Sequence, residues 1–322
     1  MHSSPSKTLL WTCLLCLGLF PLTAVPALAD DEDAVSADSD DDEGEFSTNW
    51  VGLRAGLWYR PSIRMNAQVT GRGFTGGLAN VLGTEIDIER DLGVRESPHS
   101  ETSVDFDAEA VVELTPFVET RWVSVYGWIT APFEYRGRTQ VGRTLNFGGA
   151  TFTASTNVRS KFRQVFFGTD VAINIFNNRF FRVAPLVGLR ALGVDYEIKA
   201  RNAAGQTLAR GDTSDIKSPF QLGEFQILPH PEIGALLSAG YRDYVDVNLR
   251  VATAYIDYFG MLGATYRVEL SVTAYPIPWV GVEVGARYLE YDIHSRAAQG
   301  RRGAFDFDLE FAGLTAAIII RI

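Results

Sequence analysis

From Trp50 to the C-terminus, apolar residues recur at every second position, segment after segment. A period of two sends alternate side chains to opposite faces of an extended chain, so the pattern commits this chain to β-strands with two chemically different faces. Residues 263–275 show it most clearly. Ala264, Tyr266, Val268, Leu270, Val272 and Ala274 share one face, and Thr265, Arg267, Glu269, Ser271 and Thr273 share the other. Residues 104–119 repeat it, with Val104, Phe106, Ala108, Ala110, Val112, Leu114, Pro116 and Val118 set against Asp105, Asp107, Glu109, Glu113, Thr115 and Glu119. Alternation by itself leaves open which face meets apolar surroundings, because a soluble sandwich alternates as well.

The connections narrow the choice. The pattern predicts ten strands, near 49–62, 104–120, 122–138, 160–176, 179–199, 224–241, 244–258, 263–275, 279–294 and 304–322. Alternate connections are very short: Arg121, Asn177-Asn178, Arg242-Asp243 and Pro276-Ile277-Pro278. Most of the others are long, near 63–103, 139–159 and 200–223. Short turns at one end and long loops at the other are the asymmetry expected of outer-membrane barrels. Aromatics also gather beside the short turns, at Trp122, Phe176, Phe180, Phe181, Tyr241, Tyr244, Tyr275 and Trp279. A second group, Tyr59, Phe133, Tyr135, Tyr196, Tyr258, Phe259 and Phe305, lies toward the far ends. Two rings of amphipathic aromatics suit the two interfaces of a bilayer.

Three predicted strands change phase part-way, at 183–198, 280–293 and 305–322, each near a Gly or Ala. The expectation is a bulge at each flip and a barrel that rises above the membrane surface. Pro116, Pro132, Pro185, Pro229 and Pro231 fall inside predicted strands, where a closed sheet has no free edge for a missing N–H. The segment holding Pro229 and Pro231 is therefore expected to be a bulge at the rim, with its strand beginning nearer Glu232.

The N-terminus reads as an export signal over residues 1–29. Lys7 supplies the positive region, Leu9-Leu10-Trp11 to Leu19-Phe20 the apolar stretch, and Ala27-Leu28-Ala29 the small-x-small cleavage site. Cys13 and Cys16, the only two cysteines, lie inside it, so no disulfide, thiolate metal site or cysteine nucleophile is expected in the remainder. Residues 30–45 hold ten carboxylates and no base, the mark of a solvated lead-in. The formal charge of −10 belongs to that stretch, and residues 46–322 carry −1. No span of 18 or more apolar residues follows the signal, which disfavours membrane helices but not a barrel.

These features together resemble the small bacterial outer-membrane β-barrel proteins. The last strand, Phe311 to Ile322, alternates apolar residues up to the final position and looks like the C-terminal insertion signal of such proteins, although it ends on Ile322 rather than Phe or Trp. The resemblance implies an all-β fold: a closed antiparallel transmembrane β-barrel of about ten strands, spanning 46–322, in the bacterial outer membrane. It implies outer-membrane lipid and lipopolysaccharide as surroundings, and the barrel-assembly machinery as a partner during insertion.

In a membrane barrel the polar faces point inward. The lumen is then lined by Arg54, Glu113, Asp170, Arg190, Glu232, Arg250, Arg267, Glu269, Glu283 and Arg287, with Glu119, Arg136, Arg182, His230 and Asp246 on the same faces. Both signs occur in similar number. Buried charges must be paired, so two readings follow: a self-neutralising network that fills a closed lumen, or a narrow polar channel for small solutes. The 63–103 segment is too long for a plain connection. It either caps the surface, plugs the lumen through Glu85, Asp87, Glu89 and Asp91, or serves an adhesin. Ile63, Met65, Ala67 and Val69 alternate within it, so the first strand is expected to extend upward.

Of the histidines, His99 reads as a solvated loop residue and His230 as a rim turn residue between prolines. His294 follows Asp292 on one face of a strand end, while Asp105 and Asp107 form a like-faced pair at the top of another. An Asp-x-His opposite an Asp-x-Asp at a barrel rim resembles the catalytic set of the omptin proteases, themselves ten-stranded barrels. The resemblance implies that Asp292 orients His294 and that the base and the acidic pair activate a water. The same Asp-x-Asp spacing recurs at Asp306 and Asp308. The preferred reading is non-enzymatic. No cofactor, metal or nucleic acid is expected: Gly71-Arg72-Gly73 and Gly76-Gly77 lack a P-loop lysine and a following helix, and no His/Cys spacing suits zinc.

Overall fold

The computed structural model describes residues 49–72, 80–81, 84–87, 91–92, 99–100, 110–201, 206–214, 216, 220–241, 244–258, 260–295 and 304–322, all within the compact unit Phe46–Ile322. Asp105, Asp107, Glu109 and Phe259 lie outside the described residues. Eleven strands build the main sheet: β1 (Trp50–Val69), β2 (Ala110–Glu119), β3 (Val123–Thr130), β4 (Phe133–Gln140), β5 (Asn157–Ile173), β6 (Phe181–Arg201), β7 (Phe225–Tyr241), β8 (Val245–Tyr258), β9 (Met261–Ile277), β10 (Val280–Ser295) and β11 (Phe305–Arg321).

Each strand pairs antiparallel with its sequence neighbours, except that β3 and β4 run end to end along β5 and so share one position. The last strand, β11, pairs with the first from Gly52↔Arg321 to Val69↔Phe305. The ladder therefore returns to its start through ten positions, which leaves no free edge along its path. The sheet holds sixteen strands among the described residues, because short segments such as Thr207–Asp212 on β6 and Phe220–Leu222 on β7 add to the ring. The expected ten is the count of ring positions, not of strands. The short connections 120–122, 174–180 and 278–279, Tyr244 and both ends of the sheet lie together, with the Val51 amide donating to the Ile322 carbonyl at 2.9 Å.

The three phase flips are not bulges. In β6 the even residues face inward along the whole strand, from Arg182, Ala184 and Leu186 to Val194, Tyr196 and Ile198. Its register with β5 and β7 is unbroken. β10 and β11 behave likewise across Val280↔Ile320 to His294↔Asp306. What changes is chemistry. On the turn side, outward positions are apolar and exposed, such as Val187, Leu189 (60% exposed), Val284 and Ile318. Beyond that belt the outward positions become Asp195, Glu197 and Lys199 on β6 and Glu290, Asp292 and His294 on β10. There the inward positions become apolar. The belt runs from Val51 to Tyr59 on β1, about 26 Å of strand at ~3.3 Å per residue. A tilt of ~40° makes that about 20 Å of height, which suits an apolar membrane band.

True bulges occur where the expectation does not place them, and those within the ring each hold a proline, one of them at Tyr275-Pro276 between Ala274↔Val282 and Ile277↔Val280. β1 gains one residue at Arg60-Pro61, between Tyr59↔Leu314 and Ser62↔Ala312. Thr130, Ala131 and Pro132 stand opposite only Val165 and Phe166 where β3 passes into β4. The other strand prolines sit at local ladder gaps. Pro185 lies just past the end of the β5 ladder at Ala172↔Leu186, and Pro116 lies in a two-residue gap of the β2–β3 ladder. Pro229 and Pro231 do not form a rim bulge. They stay in register with β6, while pairing of β7 with β8 begins only at Ile233↔Thr253. A missing N–H is thus tolerated on the unpaired side.

The aromatic groups also need correction. Beside the turns, Trp122, Phe176, Phe180, Phe181, Tyr244 and Trp279 are exposed as expected, but Tyr275 points inward and packs on Arg321. At the far side Phe133, Tyr135, Tyr196 and Phe305 are buried in the core, and the exposed aromatics among the described residues include Tyr59, Phe220, Tyr255 and Tyr266.

Candidate functional site

Where the belt faces outward, the same strands turn Arg, Glu and Asp inward, since the period of two leaves them no other side. Ten of these groups join in one network across the interior. Arg54 pairs with Glu113 and, at 2.7 Å, with Glu283. Arg287 pairs with Glu113 and with Glu269 at 3.0 Å. Arg267 reaches Glu232 at 2.9 Å and Asp170 at 3.0 Å, and Arg190 reaches Asp170 at 2.6 Å and Glu232 at 3.4 Å. Arg250 closes the web at 3.5 Å from Asp170 and 3.7 Å from Glu269. Five guanidiniums face five carboxylates, so the layer is formally neutral. Asp170, only 1% exposed, binds three of the arginines.

Two tryptophans form the upper boundary of this layer. The Arg190 guanidinium lies 3.9 Å and that of Arg287 5.0 Å from the Trp128 ring, and Arg287 also lies 5.3 Å from Trp58. The opposite sides of both indoles pack on phenylalanine: Trp128 stacks on Phe166 at 5.7 Å, and Trp58 meets Phe133, Phe166 and Phe311 at 6.2–6.5 Å. An indole suits this boundary because its face attracts a cation and its bulk is apolar. Phe166 is the hub, with Tyr291 and Phe311 also against it. From there one apolar cluster continues upward through Phe162, Tyr196, Ile198, Phe307 and Leu309. Ile86 and Leu92 of the 63–103 segment, and Val141, Leu145, Phe147 and Phe152 of the 141–156 connection, belong to it too. The latter connection is a hairpin, with Gly148 (φ +54°) and Gly149 (φ +82°) in its two-residue turn. Asp91 pairs with Arg143 of that connection at 2.7 Å. The described part of 63–103 therefore packs as a cap, and β1 extends to Val69 as expected.

Among the charged groups and on their turn side the interior holds a cavity of about 120 Å³, lined by Arg54, Glu113, Arg250 and Arg287 of the network and by Trp50, Tyr126, Arg182, Asp246 and Arg321. That is room for several waters. Arg182 is held there by Glu119 at 3.0 Å and by Asn174 at 2.8 Å.

Several residues lie elsewhere than expected. Arg136 faces outward, 61% exposed, and pairs with Glu134. His230 is not a turn residue: it sits inside β7, fully buried, 3.5 Å from Glu232 and edge-on to Tyr291 at 5.4 Å. Asp292 and His294 are on the outward face of β10, their nearest atoms 3.9 Å apart. Their cross-strand partners are Asp308 and Asp306, and Asp105 and Asp107 lie outside the described residues. Ligand-type atoms of Asp292, His294 and Asp306 come within 4.8 Å of one another on this exposed face. Partial burial and the nearby Asp292 charge hold the Asp306 and Asp308 carboxyls above their ordinary range, with His294 opposing the shift at Asp306. The basic groups of the upper outer wall escaped the sequence reading, because only strand register shows which of them stand side by side.

No family model matches the chain, and no curated protein matches it. Among solved structures, the outer membrane protease OmpT of Escherichia coli is 11% identical with a TM-score of 0.43, covering 87% of this chain and 99% of that one. Ail, the attachment invasion locus protein of Yersinia pestis, is 9% identical with a TM-score of 0.28, covering 84% and 98%. The toluene transporter TodX of P. putida is 8% identical with a TM-score of 0.31, covering 85% and 89%. The structures it is similar to are small bacterial outer-membrane β-barrel proteins. Their printed roles differ from one another and belong to them.

Proposed function

We propose that this chain, exported by its signal segment and inserted by the barrel-assembly machinery, is a closed, non-enzymatic transmembrane barrel of the outer membrane. In this reading its role is structural rather than conductive. The observation that carries it is the stacking of two seals. The neutral ion-pair layer spans the interior at belt height, and the Phe166-centred aromatic core lies directly on top of it. A channel needs a continuous polar path, and the cavity among the charged groups meets Trp128, whose indole stacks on Phe166 of the apolar core. Asp292 and His294 lie on the outward face of β10, opposite Asp308 and Asp306 rather than across the interior, which supports the non-enzymatic reading, although His294 and Asp306 line a rim cavity of about 180 Å³ with Gln68, Thr70 and Phe305. The packed cap of Ile86, Leu92, Phe147 and Phe152 gives the 63–103 segment a fixed base, which favours surface binding as the second reading.

The test is single-channel recording of the refolded protein in a planar bilayer. The expected trace is flat in 1 M KCl at either polarity. Steady, reproducible conductance steps that change when Arg190 or Arg287 is replaced by glutamine would establish the channel instead.

A further inference from the structure

The strand register aligns four basic residues that are scattered in the sequence. Arg138 of β4 stands directly opposite Arg159 of β5, Arg159 opposite Lys199 of β6, and Lys199 opposite Arg210 of the short strand Thr207–Asp212. Strands lie ~4.8 Å apart, so the row spans about 14 Å. Arg138, Arg159 and Arg210 are exposed, and all four point outward. Like charges directly opposite in an antiparallel sheet repel one another, and this row repeats the clash three times. Local acids relieve only half of it. Lys199 and Arg210 share Glu197, and Arg210 is 3.4 Å from Asp212. Arg138 and Arg159 have no acidic partner among the described residues, while in the next row down Arg136 and Lys161 share Glu134.

We propose that this row binds phosphate groups on the carbohydrate of glycolipids that surround the barrel. The inference rests on the membrane reading above. Charge complementarity gives the chemistry, because guanidinium forks fit phosphate oxygens two at a time. Position gives the source. On β6 the row lies on the face that carries Val187 and Leu189 in the belt, so it looks sideways at whatever surrounds the barrel. Lys199 is ten residues past Leu189, about 33 Å along the strand and about 25 Å in height at ~40° tilt. That is above lipid headgroups and within the depth of their sugars.

The test is binding of the refolded full chain to two soluble probes in titration calorimetry. One is the phosphorylated oligosaccharide released by deacylating lipopolysaccharide, and the other is the same oligosaccharide after removal of its phosphates. The phosphorylated probe is expected to bind at least tenfold more tightly, and Arg138→Gln/Arg159→Gln is expected to weaken it about tenfold or more. Equal affinity for both probes, or no change in the double variant, would overturn the proposal. So would a larger loss for a sulfated heparin octasaccharide, since the partner would then be a free sulfated glycan. Both substitutions are exposed, and an unchanged heat-modifiable gel shift verifies folding. Co-flotation with lipid vesicles separates the two ideas. Loss of flotation in the wild type contradicts the membrane reading, whereas probe binding judges the basic row alone.

Discussion

Replacing Asp170 with alanine should cost about 3–5 kcal/mol of folding stability, measured by urea unfolding of the protein in lipid vesicles. The carboxylate is almost wholly buried and carries Arg190, Arg250 and Arg267. Its loss leaves three guanidiniums sharing Glu232 and Glu269 in a place water reaches poorly. Most of the cost is thus the penalty of stranded positive charge rather than the value of any one pair. A second substitution checks this reasoning. Arg250→Gln removes one excess cation, so Asp170→Ala/Arg250→Gln should be less destabilised than the two single effects predict, with a coupling of about 0.5–3 kcal/mol. Strict additivity would mean that the layer is not the connected network its distances describe.

Phe166→Ala should cost a similar amount, about 3–5 kcal/mol, for a different reason. The ring is 0% exposed and touches Trp58, Trp128, Phe133, Tyr291 and Phe311, side chains held by five other strands of the ring. Its neighbours are fixed by the backbone ladder and cannot collapse into the space, so the cavity should persist. Phe166→Leu, which refills much of the volume, should recover over half of the loss. The same urea titration reads both variants. A cost below about 1 kcal/mol for the alanine would mean that the aromatic core is loosely packed and does not seal the interior.

The charged layer was legible in the sequence for one reason. Once the period of two and the turn-and-loop asymmetry place lipid outside, Arg54, Glu113, Arg267 and Arg287 must face inward, and no other information is needed. The core above it was not legible. A single sequence does not show the height at which lipid gives way to water. At that height the meaning of alternation inverts, because the outward face must turn polar and the inward face apolar. Leu189 and Val194 are both apolar but point to opposite sides. Taken one strand at a time, the inversion predicts bulges in three strands that are geometrically regular. The same premise places Phe133, Tyr135, Tyr196 and Phe305 in a headgroup ring, whereas they are buried in the core. The real bulges, at Pro61, Pro132 and Pro276, each interrupt the pattern by one residue. The other strand prolines mark local ladder gaps of the sheet, which no single strand read alone reveals. For the same reason the row of Arg138, Arg159, Lys199 and Arg210 becomes visible only when register is known.

The inversion of inside and outside along one strand is what joins fold, location and closure, and β6 tests it directly. The sheet contains no cysteine, since Cys13 and Cys16 both precede it. Single cysteines at Val187, Leu189, Val194, Asp195 and Lys199 can therefore carry a nitroxide label in vesicle-reconstituted protein. Labels at 187 and 189 should collide with oxygen and be shielded from a water-soluble nickel complex. Those at 195 and 199 should show the reverse, and the label at 194 should meet neither reagent. Nickel access at 189 would contradict placement of the belt in lipid, and nickel access at 194 would contradict a sealed interior.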